Sequence, residues 1–172
     1  MALRSLRRSP PLRLSQTGLA AMSLRPYQPQ DCEAVLDVWQ RAATVAHSFL
    51  PAAHFAQERL AIATQYLPMA ETWVYEHQGQ IAGFVSLLNA EASSEVGGLF
   101  VDPPWQGRGV GRALMDHAVA LKGALMVTVF EQNALGRRFY GRYGFGETGR
   151  SRHDDTGLPL VRMQYPFPRS PN

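Results

Sequence analysis

From Ser23 onward, apolar and polar positions fall into regular blocks. Ser23–Tyr27 reads as a short strand, closed by Pro26 and Pro29. Asp31 is placed to cap a helix that runs to about His47, with Val35, Leu36, Val38, Trp39 and Ala42 as its apolar stripe. A second helical stretch covers Ala52–Leu67 and is expected to stop at Pro68. Thr72–Glu76 and Ile81–Leu88, joined through Gln78-Gly79-Gln80, form a predicted hairpin. Ser94–Val101 reads as a central strand broken by Gly97-Gly98. Paired glycines inside a strand pattern mark a bulge or a close backbone approach.

Gln106-Gly107-Arg108-Gly109-Val110-Gly111 follows Asp102-Pro103-Pro104-Trp105 and opens another helix. Its predicted apolar face is Val110, Ala113, Leu114, His117, Ala118 and Leu121. Leu125–Phe130 reads as a buried strand, and Asn133–Tyr143 as a helix ended by Gly144. Two last strands, near Phe145–Arg150 and Pro159–Tyr165, flank the turn-rich Asp154-Asp155-Thr156-Gly157. The order β-α-α-β-β-β-α-β-α-β-β has no internal repeat and predicts one α/β domain with a mixed sheet.

The 172 residues suit one domain, and 45% hydrophobic content is enough for a core. Residues 1–22 are Arg-rich, free of acids and interrupted by Pro10-Pro11. They read either as a targeting segment or as an upstream start ahead of Met22. The prolines favour the second, because they break any amphipathic helix. Residues 23–166 then form the domain, and 167–172 a short tail. The formal charge of +3 misleads, because Arg4, Arg7, Arg8, Arg13 and Arg25 fall within residues 1–25. The remaining 12 basic residues face 14 acidic ones, so the body is near neutral, without the basic footprint of a nucleic-acid binder. Cys32 is the sole cysteine, and no Cys/His group has metal-ligand spacing. No apolar run reaches the ~18 residues of a membrane helix. A cytoplasmic protein without metal, membrane or nucleic-acid partner is expected, as a monomer or homodimer.

The sharpest chemical feature is Gln106–Gly111 between a strand and a helix. Glycines permit positive φ and close approach of backbone, and the unpaired amides of a helix start favour an anion. Amides from Gly107 to Gly111 can wrap a pyrophosphate, with Arg108 and Arg112 adding charge. A P-loop is excluded by the wrong glycine spacing, and a dinucleotide fingerprint by Arg112 where glycine is required.

Gln106-x-x-Gly109-x-Gly111, preceded by Leu99–Pro103, resembles motif A of the GNAT N-acetyltransferase superfamily. Asn133, Phe139-Tyr140 and Tyr143-Gly144-Phe145 resemble its motif B. The resemblance spans about Ser23–Tyr165. Ala46–Leu50, Glu131-Gln132-Asn133 and Gly149-Arg150-Ser151 with Asp154-Asp155 are similar to the small bacterial YjaB-type acetyltransferases. It implies a single-domain α/β fold: a mixed, mostly antiparallel sheet with a splayed, V-shaped cleft flanked by helices. It implies acetyl-CoA as cosubstrate and an amine acceptor, either peptidyl lysine or a small amine, attacked directly in a ternary complex.

The same resemblance implies roles for residues. Main-chain groups of Phe100 and Val101 pair with the pantetheine arm. Gln106, Gly107, Arg108, Gly109, Val110, Gly111 and Arg112 hold the pyrophosphate, and Asn133 bonds the arm while capping its helix. Tyr140, two turns after Asn133, returns a proton to the leaving thiolate. The base for the amine is Glu95, with His47 as a lesser option. A glutamate that some N-terminal acetyltransferases carry five residues before Asn133 is here Thr128. His47, Phe49, Glu131, Asp154 and Asp155, with His153 nearby, are available to the acceptor. Two alternatives stay open: a CoA-binding sensor without turnover, and an RNA-binding module, because Arg137–Phe145 mixes arginine with aromatics.

Overall fold

The structure, a computed structural model, describes residues 22–89 and 93–167. The expectations for residues 1–21 and 168–172 lie outside the described residues. The described residues contain seven strands: β1 (Met22–Pro26), β2 (Glu71–His77), β3 (Gln80–Asn89), β4 (Ser94–Val101), β5 (Leu125–Phe130), β6 (Gly146–Arg152) and β7 (Pro159–Tyr165). They form one sheet in the order β1-β2-β3-β4-β5-β7-β6. Every neighbouring pair is antiparallel except β4 with β5. The sheet is mixed and mostly antiparallel, as expected.

Helices cover both faces. α1 (Cys32–Ala46) lays Val35, Val38, Trp39 and Ala43 against Val74 and Phe84. α4 (Val110–Lys122) buries Val110, Leu114, Met115 and Ala118 against Val85, Leu87 and Val127 on the other face. β3 is therefore buried on both sides, which explains its near-continuous apolar run. The ion pair of Arg41 with Asp102, at 2.9 Å, ties α1 to the turn after β4. Leu121, expected on the inner face of α4, is exposed, and Met115 takes the buried position.

Pro68 does not end the second helical stretch. α2 (Ala52–Ala61) widens into a π turn over Ile62–Tyr66, and α3 (Leu67–Met69) follows. The Leu67 N–H bonds back to the Ile62 carbonyl, so Pro68 falls at the start of a new segment, where its missing N–H costs nothing.

Asp31 stands at the start of α1, but its side chain does not cap it. The carboxylate accepts from the Gln28 N–H at 2.8 Å and from both Arg25 terminal nitrogens at 2.8 and 3.0 Å. The Arg25 guanidinium holds the Asp31 carboxyl below the ordinary carboxylate range. Because the folded-state value is depressed, this stabilisation is present above the unfolded value, ~3.9. It fades as pH falls through the folded one. Asp31→Asn is therefore expected to lower Tm at pH ~7, and by less at pH ~3, below the unfolded value. Thermal melts at both pH values check this, and an equal deficit at each contradicts it.

Candidate active site

β4 and β5 pair only through Ser94–Val96 with Leu125–Val127. Ser86 pairs with Gly98 and Leu87 with Val96, so Gly97 is the extra residue of a bulge. A Cβ on Gly97 would come within about 3.0 Å of Leu88 Cδ1, so a side chain there would have to displace the Leu88 tip. Beyond the bulge the two strands diverge, and among the described residues the β5-facing edge of Gly97–Val101 has no strand partner. A cleft of about 960 Å³ opens there. Its free backbone edge fits an extended amide-bearing arm by strand-like pairing.

One end of the cleft is the loop before α4. Gly107 and Gly109 have φ of +73° and +86°, and a Cβ added to either meets nothing within 4 Å. The first amides of α4 have no carbonyl one turn back and lie beside this open space. Gln106 also lines the cleft, and its Nε2 donates to the Val101 carbonyl at 3.0 Å, fastening the loop to the strand end. Part of the Val101 backbone expected for the arm is thereby engaged. Arg112 lines the cleft. Arg108 does not, and stacks instead on Trp105 at 5.4 Å. The Val110 side chain is core, so only its backbone is available. Gly111 has a packing role, since a Cβ there would sit 3.1 Å from Phe139.

α5 (Ala134–Tyr143) forms one wall of the cleft. Asn133 caps it, with Oδ1 accepting from the Gly136 N–H at 2.9 Å. Tyr140 is buried, its ring edge-on to Phe139 and Phe145, yet it lines the cleft. Among the described residues nothing hydrogen-bonds its hydroxyl. Burial pushes its pKa upward, so the phenol keeps its proton. Because Arg137–Tyr143 is helical and Tyr140 faces inward, the segment is not an RNA-binding strand.

Glu95 lines the cleft near the point of divergence, where Thr128 Oγ1 on β5 donates to its Oε1 at 3.4 Å. His47 also lines it, packed against Phe100 of β4 and Phe130 of β5, with Nε2 3.2 Å from Asn133 Nδ2. Burial, and secondarily the charge of His54, push the His47 pKa down to about 4.

Four acceptor-side residues named above are not on the cleft wall. Phe49 packs against His47 and Phe130. Glu131 pairs with Arg150. Asp154 and Asp155 are exposed in the β6–β7 turn, while His153 of the same turn does line the cleft. Residues not anticipated are Arg138 and Arg142, which join Arg112 to make one end cationic, and His54 and Glu58 at the other. The i,i+4 spacing of Arg138 and Arg142 was the available signal, since it puts both on one face of α5. Glu58 had none.

Residues 25–167 match the family described as an acetyltransferase (GNAT) domain. The chain is 35% identical over 148 residues to the peptidyl-lysine N-acetyltransferase YjaB of Salmonella typhimurium, covering 84% of this chain and 99% of that protein. It is similar to the solution structure of apo-form YjaB from Escherichia coli, with a TM-score of 0.73, 32% identity, and coverage of 84% and 97%. The PaiA N-acetyltransferase of Thermoplasma acidophilum, solved in complex with coenzyme A, shares the fold at a TM-score of 0.72 and 15% identity, with coverage of 84% and 99%. A bulge-split sheet, a glycine loop on a helix start and a match across nearly the whole described domain lead to one conclusion: the chain belongs to the GNAT acetyltransferase family.

Proposed function

We propose that this chain transfers the acetyl group of acetyl-CoA to the side-chain amine of a peptidyl lysine. The observation that carries the reading is the cleft's continuity. It runs from the Gly107 and Gly109 cradle, past the unpaired edge of β4, to Glu95 and Tyr140. Arg112, Arg138 and Arg142 suit the phosphates, the β4 edge the pantetheine amides, and the Asn133 amide a carbonyl. Acetyl-CoA supplies an activated thioester. The relatives named for peptidyl-lysine acetylation support lysine as acceptor, and a cytoplasmic location is part of the same proposal.

The protein's part is proton traffic and positioning. A lysine ammonium has a pKa near ~10.4 and must lose a proton before its nitrogen can attack. Glu95 takes that proton through water, while Thr128 orients its carboxylate. Tyr140 gives a proton to the departing sulfur. Glu95→Gln is expected to lower kcat/KM about 10–100-fold near pH 7, and the deficit shrinks as pH approaches the amine's own pKa. A pH profile of both proteins with a lysine peptide checks this, and a pH-independent deficit assigns Glu95 to another role. The function itself is tested by incubating the full chain with acetyl-CoA and lysine peptides. Acetyl-lysine and free CoA thiol should form in equal amounts.

A further inference from the structure

His47 and Asn133 lie 86 residues apart in the chain, yet their side chains meet inside the cleft. The chemistry of the contact can be worked out from its neighbours. Asn133 Oδ1 is committed to the Gly136 N–H at 2.9 Å, which fixes which end of the amide is the NH₂ group. Nδ2 is therefore the atom facing His47, and Nδ2 can only donate. His47 Nε2 must then be an unprotonated acceptor, and the neutral ring carries its hydrogen on Nδ1.

Gly136 provides a second, independent sign that the amide is held in place. A Cβ at Gly136 would lie 2.6 Å from Asn133 Nδ2 and 3.0 Å from its Cγ. The missing side chain makes the room in which the amide lies across the first turn of α5. The His47 ring is itself seated between the two diverging strands, edge-on to Phe100 at 6.3 Å and to Phe130 at 5.4 Å.

One hydrogen of Asn133 Nδ2 goes to His47, and its other hydrogen is left over. Since Oδ1 and the first N–H are both engaged, what Asn133 offers a ligand in the cleft is chiefly a donor. We propose that His47 is a positioning residue for acetyl transfer: its Nε2 lone pair aims the remaining Asn133 N–H at a carbonyl oxygen of acetyl-CoA. This rests on the acetyltransferase reading above. It also removes His47 from the candidate bases, because its lone pair is occupied and its other nitrogen already holds a proton. Burial and His54 disfavour the imidazolium, which would set donor against donor at this contact.

Nitrogen NMR of the imidazoles in the full chain tests the link without turnover. The expected result is His47 protonated at Nδ1 and bare at Nε2 near neutral pH. In Asn133→Asp, which keeps a good cap but supplies only acceptors, the His47 proton should move to Nε2. Calorimetry with acetyl-CoA provides the functional half. His47→Leu should weaken binding about 10-fold, the scale of one hydrogen bond, and His47→Gln, whose amide oxygen can accept, should recover most of it. An Nε2–H ring in the wild type overturns the proposal. So does unchanged affinity in His47→Leu, or an equal loss in the Leu and Gln variants. If the wild type does not bind acetyl-CoA, the acetyltransferase reading fails, while the ring's protonation still decides the His47–Asn133 link.

Discussion

Gly109→Val is expected to abolish acetyl-CoA binding in calorimetry while leaving a folded protein. Gly109 starts α4 at φ +86°, in the left-handed region that a β-branched residue avoids. Among the described residues, and apart from its chain neighbours, a Cβ at Gly109 meets nothing within 4 Å, so packing does not exclude it. It would stand in the open space over the helix start, where the phosphates are to lie. The variant must either keep the loop and block that space or relax the loop and turn its amides away. Either outcome removes at least two hydrogen bonds to a charged group, at about 1.5–3 kcal/mol each, hence a loss of more than ~100-fold in affinity. Gly79→Ala is the control. It also has positive φ, +77°, and open space around its Cβ, but lies in the β2–β3 turn. It should lower Tm and leave affinity unchanged. Equal losses of affinity in the two variants would show that the Gly109 effect is only strain. Gly111 behaves differently, because its missing Cβ makes room for Phe139; Gly111→Val should cost stability first.

Tyr140→Phe should lower kcat by about 10²–10³-fold and leave the dissociation constant for acetyl-CoA nearly unchanged. The ring is buried against Phe139 and Phe145, so phenylalanine keeps the packing. The hydroxyl has no protein partner among the described residues, so removing it strands no buried group. What disappears is a proton donor whose pKa burial has raised, and which therefore stays protonated throughout the working range. Single-turnover rates with a lysine peptide isolate the chemical step from product release. A variant with wild-type kcat would return Tyr140 to the core and leave water to protonate the sulfur.

The parts of this site legible in the sequence are those encoded locally. Gly107 and Gly109 announce positive φ, Gly97 a bulge, and Asn133 a cap, each through a property of one residue. The parts that were not legible depend on partners distant in the chain. Asp31 has the right identity and position to cap α1, but Arg25 and Gln28 claim its carboxylate. Glu131 follows β5, and Arg150 of β6 neutralises it. Pro68 would end a regular helix, yet a π turn just before it shifts the bonding pattern and lets the segment continue. The pairing of His47 with Asn133 joins the end of α1 to the start of α5 through a fold whose register no local pattern specifies.

The most direct measurement of the account is mass spectrometry of a lysine peptide incubated with the full chain and acetyl-CoA, with the CoA thiol followed in the same reaction. One acetyl group is expected on the lysine side-chain nitrogen, with a matching amount of free CoA, and both should be lost in Gly109→Val. Tight binding of acetyl-CoA with no acetyl transfer to lysine peptides or to small amines would contradict it, and would make the chain a CoA-binding sensor.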